Sequence, residues 1–179
     1  MLQKSSISKT LEIFFINPTK QHYLMDISRK IKIAHTSVKK NLTNLEKQGL
    51  IIESIEKKGK RKFPFYKANI NNKEFKKQKK VYNLSALLHS NLIEHLQDKL
   101  APKSIVLFGS YSRGEDTEDS DIDLFIECKQ ESLDLKEFEK ILNRNVSIIF
   151  RENFNKLSKE LKNNIINGIT LNGFLEGYK

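Results

Sequence analysis

The chain has 179 residues, room for one large domain or two small ones, with 38% apolar residues and a formal net charge of +10. No apolar run approaches the roughly 18 residues of a membrane span, and the start lacks a long apolar core with a small-residue cleavage site, so neither a membrane nor a secretory processing step is expected. A single cysteine, Cys128, excludes an intrachain disulfide and suits a soluble protein of the reducing cytoplasm.

The charge is unevenly placed. Residues 1–80 hold 20 Lys+Arg against 6 Asp+Glu, a net of +14, whereas residues 81–179 hold 12 against 16, a net of −4. A compositional bias would raise both halves alike. The asymmetry therefore argues for two parts, the first suited to a polyanion.

Residues 5–16 place Ile7, Leu11, Phe14 and Phe15 on one helical face, and Asn17-Pro18 ends the run. A second helix over His22 to Ile31 carries Leu24, Ile27 and Ile31 at intervals of three and four. After a turn at Lys32-Ile33-Ala34, a third helix over His35 to Gln48 turns Val38, Leu42 and Leu45 inward. It leaves Thr36, Ser37, Lys39, Lys40 and Thr43 outside, and Gly49 stops it. Two strand-like runs, Leu50 to Ile55 and Lys62 to Lys67, then flank the basic turn Lys57-Lys58-Gly59-Lys60-Arg61. Pro64 implies an edge position or a bulge.

The phrase HTSVKKNLTNLEKQGLIIE followed by KKGKRKFPFYKANI resembles the winged helix-turn-helix of bacterial and archaeal transcription regulators, over residues 5–70. That resemblance implies double-stranded DNA as a partner. The third helix would enter the major groove with Thr36, Ser37, Lys39 and Lys40 toward base edges. Lys57, Lys58, Lys60 and Arg61 would neutralise phosphates, a source of affinity and salt dependence rather than of sequence choice.

Residues 73–100 read as one long linking helix, continuous or interrupted. Its basic beginning, KEFKKQKK, extends the nucleic-acid-binding charge, and Val81, Leu84, Leu87, Leu88, Leu92 and Leu96 form an apolar half suited to the following domain or to a homodimer. The expected division is 1–72, a linker over 73–100, and 101–179.

Residues 105–127, IVLFGSYSRGEDTEDSDIDLFIE, have an order dictated by chemistry. Ile105 to Phe108 is a buried strand that turns at Gly109, and Ser110 starts a helix whose free amides can hold phosphate. In the following strand, period two puts Asp121 and Asp123 on one face. Paired carboxylates repel unless a cation lies between them, and Mg2+ favours such oxygen ligands. Gly109-Ser110, ten intervening residues and Asp121-Ile122-Asp123 resemble the signature of the DNA polymerase beta-type nucleotidyltransferase superfamily, and the short flanks resemble its minimal members, over residues 100–175.

Together the two resemblances imply an α+β protein whose winged helix is joined by a long helix to a small α/β nucleotidyltransferase domain with a mixed sheet. A nucleoside triphosphate would lie with its β and γ phosphates on Gly109 and Ser110, assisted by Arg113. Asp121 and Asp123 would be the catalytic metal ligands, and the acceptor would be a hydroxyl, such as a tyrosine on a toxin-like partner protein. Active members usually bring a third carboxylate from the next strand, where this chain has Ser147. Glu127 is a poor substitute, about 13 Å from Asp123 along an extended strand, and Glu152 falls after the expected position. Three readings stay open: an active transferase, a regulator whose degenerate fold senses nucleotide or docks a partner, and an acidic-faced adaptor that binds only another protein.

Overall fold

The hydroxyl of Ser5 accepts a hydrogen bond from the Ser8 amide and so caps the first helix, α1 (Ser6–Ile16). In the computed structural model, which describes residues 4–176, two units divide at Lys76/Lys77. The first continues with α2 (Leu24–Ile31), α3 (His35–Lys47) and an antiparallel hairpin of β1 (Ile51–Lys58) and β2 (Arg61–Ala68). Phe14, Ile27, Val38, Leu42, Leu45 and Leu50, each at most 1% exposed, form its interior. α2 starts two residues later than its periodicity suggests, because His22 is taken by a β-bridge to Tyr66. Gly49, at φ +71°, closes α3: its amide and that of Leu50 bond back to Glu46 and Leu45. Pro64 faces Ile55 without breaking register, as a two-stranded sheet permits.

The turn of the hairpin is tighter than expected. Lys57, Lys58 and Arg61 are strand ends, and only Gly59-Lys60 lie between the strands.

The linking helix is interrupted, giving α4 (Lys73–His89) and α5 (Leu92–Leu100). Asn91 adopts a left-handed conformation, φ +60°, and the Ser90 hydroxyl donates to the Leu87 carbonyl while accepting from the Leu92 amide. These local bonds satisfy one carbonyl and one amide at the broken ends, and the break lets α5 bury Leu92, Ile93 and Leu96.

The second unit is built on a four-stranded mixed sheet in the order β5-β4-β3-β6. β3 (Ser104–Phe108) is antiparallel to β4 (Ile122–Ile126) and β6 (Ile169–Gly173), and β5 (Val146–Phe150) runs parallel to β4. Every residue of β3 is buried, as expected of a strand covered on both faces. Ile105, Leu107, Ile122, Leu124 and Ile126 pack with α5 on one face. Val106, Phe108 and Phe125 pack with Phe154, Leu157 and Ile165 on the other. Short helices α6 (Gly109–Arg113) and α7 (Lys136–Leu142), a 3-10 turn at Phe154–Lys156 and α8 (Lys159–Ile166) complete the unit. Among the described residues no helix is long and apolar enough to cross a membrane.

Candidate active site

β3 ends opposite β4, with Phe108 paired to Asp123, so the turn after β3 meets the carboxylate end of its neighbour. Gly109 makes that turn at φ +74°, and a Cβ there would lie 2.1 Å from Asp123 Oδ2. Only glycine fits both the backbone conformation and the space. Ser110, half-buried, follows in the first turn of α6, which Gly114 closes at φ +70°. Asp121 sits just ahead of β4, exposed, and accepts a hydrogen bond from Asn145 Nδ2 at 3.2 Å.

Burial raises the pKa of Asp123 above its ordinary value, the charge of Asp121 adds to that rise, and Arg113 opposes it. Two neighbouring carboxylates, one of them poorly solvated, are a site short of positive charge. Arg113 supplies part of it across space, while its Nε is held 2.8 Å from Glu115. The donor set suits a small hard cation: two carboxylates leave coordination positions for water and phosphate oxygens. Among the described residues no group of three or more His, Cys, Asp or Glu side chains is placed to hold a metal ion.

In the parallel pairing of β4 with β5, Asp123 stands beside Ser147. Ser147 is exposed, at the position where the resemblance leads one to expect a third carboxylate. Glu127 is no replacement. It is buried at the far end of β4, where it accepts from the Ser104 hydroxyl and the Phe154 amide. Glu152 is exposed beyond the end of β5.

The profile of the nucleotidyltransferase domain family matches residues 89–171, the region that holds all of these groups. A protein of Methanocaldococcus jannaschii, named as a candidate protein adenylyltransferase, is 41% identical over 81 residues, which span 40% of this chain and 81% of that relative. The chain belongs to the nucleotidyltransferase domain family. A second relative of the same organism and name is 42% identical over 62 residues, 31% of this chain and 72% of its own. A third is 50% identical over 44 residues, 25% of this chain and 45% of its own. No solved structure matches the chain.

The nucleotidyltransferase unit also holds a buried polar cluster for which the sequence carries no motif. Lys79, Asn83, Asp116 and Arg144 are each at most 8% exposed. Lys79 Nζ donates to the Asp116 backbone carbonyl and lies 3.1 Å from its carboxylate. Asn83 Nδ2 donates to Asp116 Oδ1 at 2.7 Å and to the Tyr111 carbonyl at 3.0 Å, and Arg144 Nη2 lies 3.7 Å from Asp116 Oδ2. Burial lowers the pKa of Lys79, against the opposing pull of Asp116. Lys79 therefore adds nothing to the basic surface expected of KEFKKQKK: it neutralises a buried aspartate instead.

In the first unit Thr36, Ser37, Lys39 and Lys40 are all exposed on α3. Thr36, Lys39 and Lys40 line a surface groove of about 540 Å³ with Thr43, Asn44 and Lys47, and Ser37 stands outside it. Lys57, Lys60 and Arg61 are exposed at the hairpin tip, while the side chain of Lys58 lies outside the described residues.

Proposed function

We propose that this protein is a cytoplasmic DNA-binding nucleotidyltransferase, in which the second unit binds Mg2+ and a nucleoside triphosphate and transfers a nucleoside monophosphate to a hydroxyl. The observation that carries the reading is the meeting of turn and strand: the space left by the missing Cβ of Gly109 is filled by the Asp123 carboxylate. Phosphates held on Gly109 and Ser110 then lie against Asp121 and Asp123. In the transfer the acceptor oxygen bonds to the α-phosphorus, the bond to pyrophosphate breaks, and the hydroxyl proton passes to solvent or a carboxylate. Mg2+ held by the two aspartates would neutralise the charge that develops on the phosphates. Arg113 adds positive charge beside them. The names of the relatives favour ATP as the nucleotide and a protein side chain as the acceptor.

The first unit is read as a winged helix. Three helices and a hairpin, an exposed polar face on α3 and a basic tip support duplex DNA as its ligand. Ser147 beside Asp123 favours a second reading, a regulator that binds nucleotide without transferring it, because a serine is a poor base at neutral pH. Incubation of the full chain with α-labelled ATP and Mg2+, alone and with a cell extract as acceptor source, separates the two. Transfer of label that Asp121→Ala/Asp123→Ala abolishes identifies the enzyme. Metal-dependent binding without transfer identifies the sensor, and no nucleotide binding at all rejects both.

A further inference from the structure

We infer that the buried cluster of Lys79, Asn83, Asp116 and Arg144 is a positioning device, one that sets the phosphate-binding turn and the carboxylate pair at their working separation. The inference rests on the nucleotide-binding reading of that site. Asp116 stands midway in the connection between Tyr111 of α6 and Asp121, five residues from each. This stretch contains no strand and, after α6, no helix of its own, so side-chain anchors decide its path. A single nitrogen, Asn83 Nδ2, uses one proton on the Tyr111 carbonyl and one on Asp116 Oδ1, at 3.0 and 2.7 Å. It thereby ties the helix that begins with Gly109 and Ser110 to the loop that delivers Asp121.

The other carboxylate oxygen of Asp116 reaches the same goal by a second route. Oδ2 accepts no hydrogen bond among the described residues and faces Arg144 Nη2 at 3.7 Å. The next residue, Asn145, donates to Asp121 Oδ1 at 3.2 Å. One buried aspartate therefore orients the phosphate turn through Asn83 and lies one residue-step from the group that orients Asp121. Lys79, 1% exposed, sets its ammonium 3.1 Å from the same carboxylate and offsets the buried charge there. Had the cluster served only to hold the fold together, an apolar patch of the same volume would do so at no desolvation cost.

Asn83 and Asp116 are positioning residues, and the property they govern is the gain in nucleotide affinity that Mg2+ brings. That gain depends on the separation of turn and carboxylates, whereas global stability does not. The test uses the full chain, an ATP analogue with a carbon bridge between the α and β phosphorus, and calorimetric titration with and without Mg2+. Thermal unfolding is followed without ligand. Wild type is compared with Asn83→Ala, which loses both bonds, and Asn83→Ser, which keeps a single donor in case the alanine variant does not fold. A folded variant is expected to lose about tenfold or more of the Mg2+-induced gain, the scale on which small misplacements act. An unchanged gain in a folded variant overturns the inference, whatever happens to its melting temperature. Failure of both variants to fold also overturns it, since the cluster is then a requirement of the fold. If wild type itself binds no analogue, it is the nucleotide-binding reading that fails.

Discussion

Gly109 has no side chain because the carboxylate of Asp123 occupies the place where one would be. A Cβ built there meets Asp123 Oδ2 at 2.1 Å. The left-handed backbone alone costs a non-glycine residue about 1–2 kcal/mol, and the collision must in addition push the carboxylate aside. Gly109→Ala is expected to lower the melting temperature and to abolish metal-dependent nucleotide binding. Calorimetry beside thermal unfolding checks both. Retention of wild-type affinity would mean that the turn and the carboxylate are not parts of one site.

Protonation of Asp123 gives a second test. Its pKa lies above the ordinary 3.8, mainly through burial and then through Asp121. Ionising it thus costs the folded state: stability falls as pH rises from 3.8 through the raised value, and stays lower above it. Asp123→Asn, which cannot ionise, is expected to unfold at a higher temperature than wild type at neutral pH in a chelator. That advantage should vanish below pH 3.8. An asparagine variant less stable at neutral pH would contradict the direction of the shift.

Ser147 stands beside Asp123 in the parallel register of β5 with β4. A carboxylate introduced there is placed to orient an acceptor hydroxyl or a second metal. A positioned base contributes about 10²–10⁴-fold to rate, so Ser147→Asp is expected to raise label transfer from ATP substantially if transfer limits turnover. The same change adds negative charge near Asp121 and Asp123, and should weaken nucleotide binding measured without metal. Identical transfer rates in the two proteins would show that the serine position takes no part.

DNA binding can be tested apart from the nucleotide site. Replacing Lys57, Lys58, Lys60 and Arg61 together by alanine removes four cations at the hairpin tip. If they neutralise phosphates, the plot of log affinity against log salt should become shallower, by up to about 0.9 for each phosphate no longer neutralised. Fluorescence anisotropy on a duplex across a range of salt concentrations reads this slope. A slope unaltered by the substitution would place the DNA-binding surface elsewhere.

Much of this arrangement is written locally. The inner stripe Val38, Leu42 and Leu45 follows from helical spacing and is buried in full. The meeting of the turn with Asp123 is legible because Gly109-Ser110 directly follow β3 and Asp121-Ile122-Asp123 open the adjacent β4 after a short connection. Ser147 is singled out by the resemblance alone, and the parallel register of β5 with β4 sets it beside Asp123. The helix break at Asn91 was less visible, because the left-handed conformation that ends α4 is accessible to asparagine but not announced by it.

Sequence alone determined the composition, the split of charge and the spacing of Gly109-Ser110 from Asp121 and Asp123, since each is read along the chain itself. Only the tertiary structure decided which charges are buried. Lys79 looks like one more lysine in a basic run, yet its partner Asp116 is 37 residues away. Asn83 and Asn145 acquire their roles from carbonyls and carboxylates that no periodicity connects to them. Desolvation and hydrogen bonding act through space, so the reach of a polar side chain is set by packing that a linear pattern does not contain.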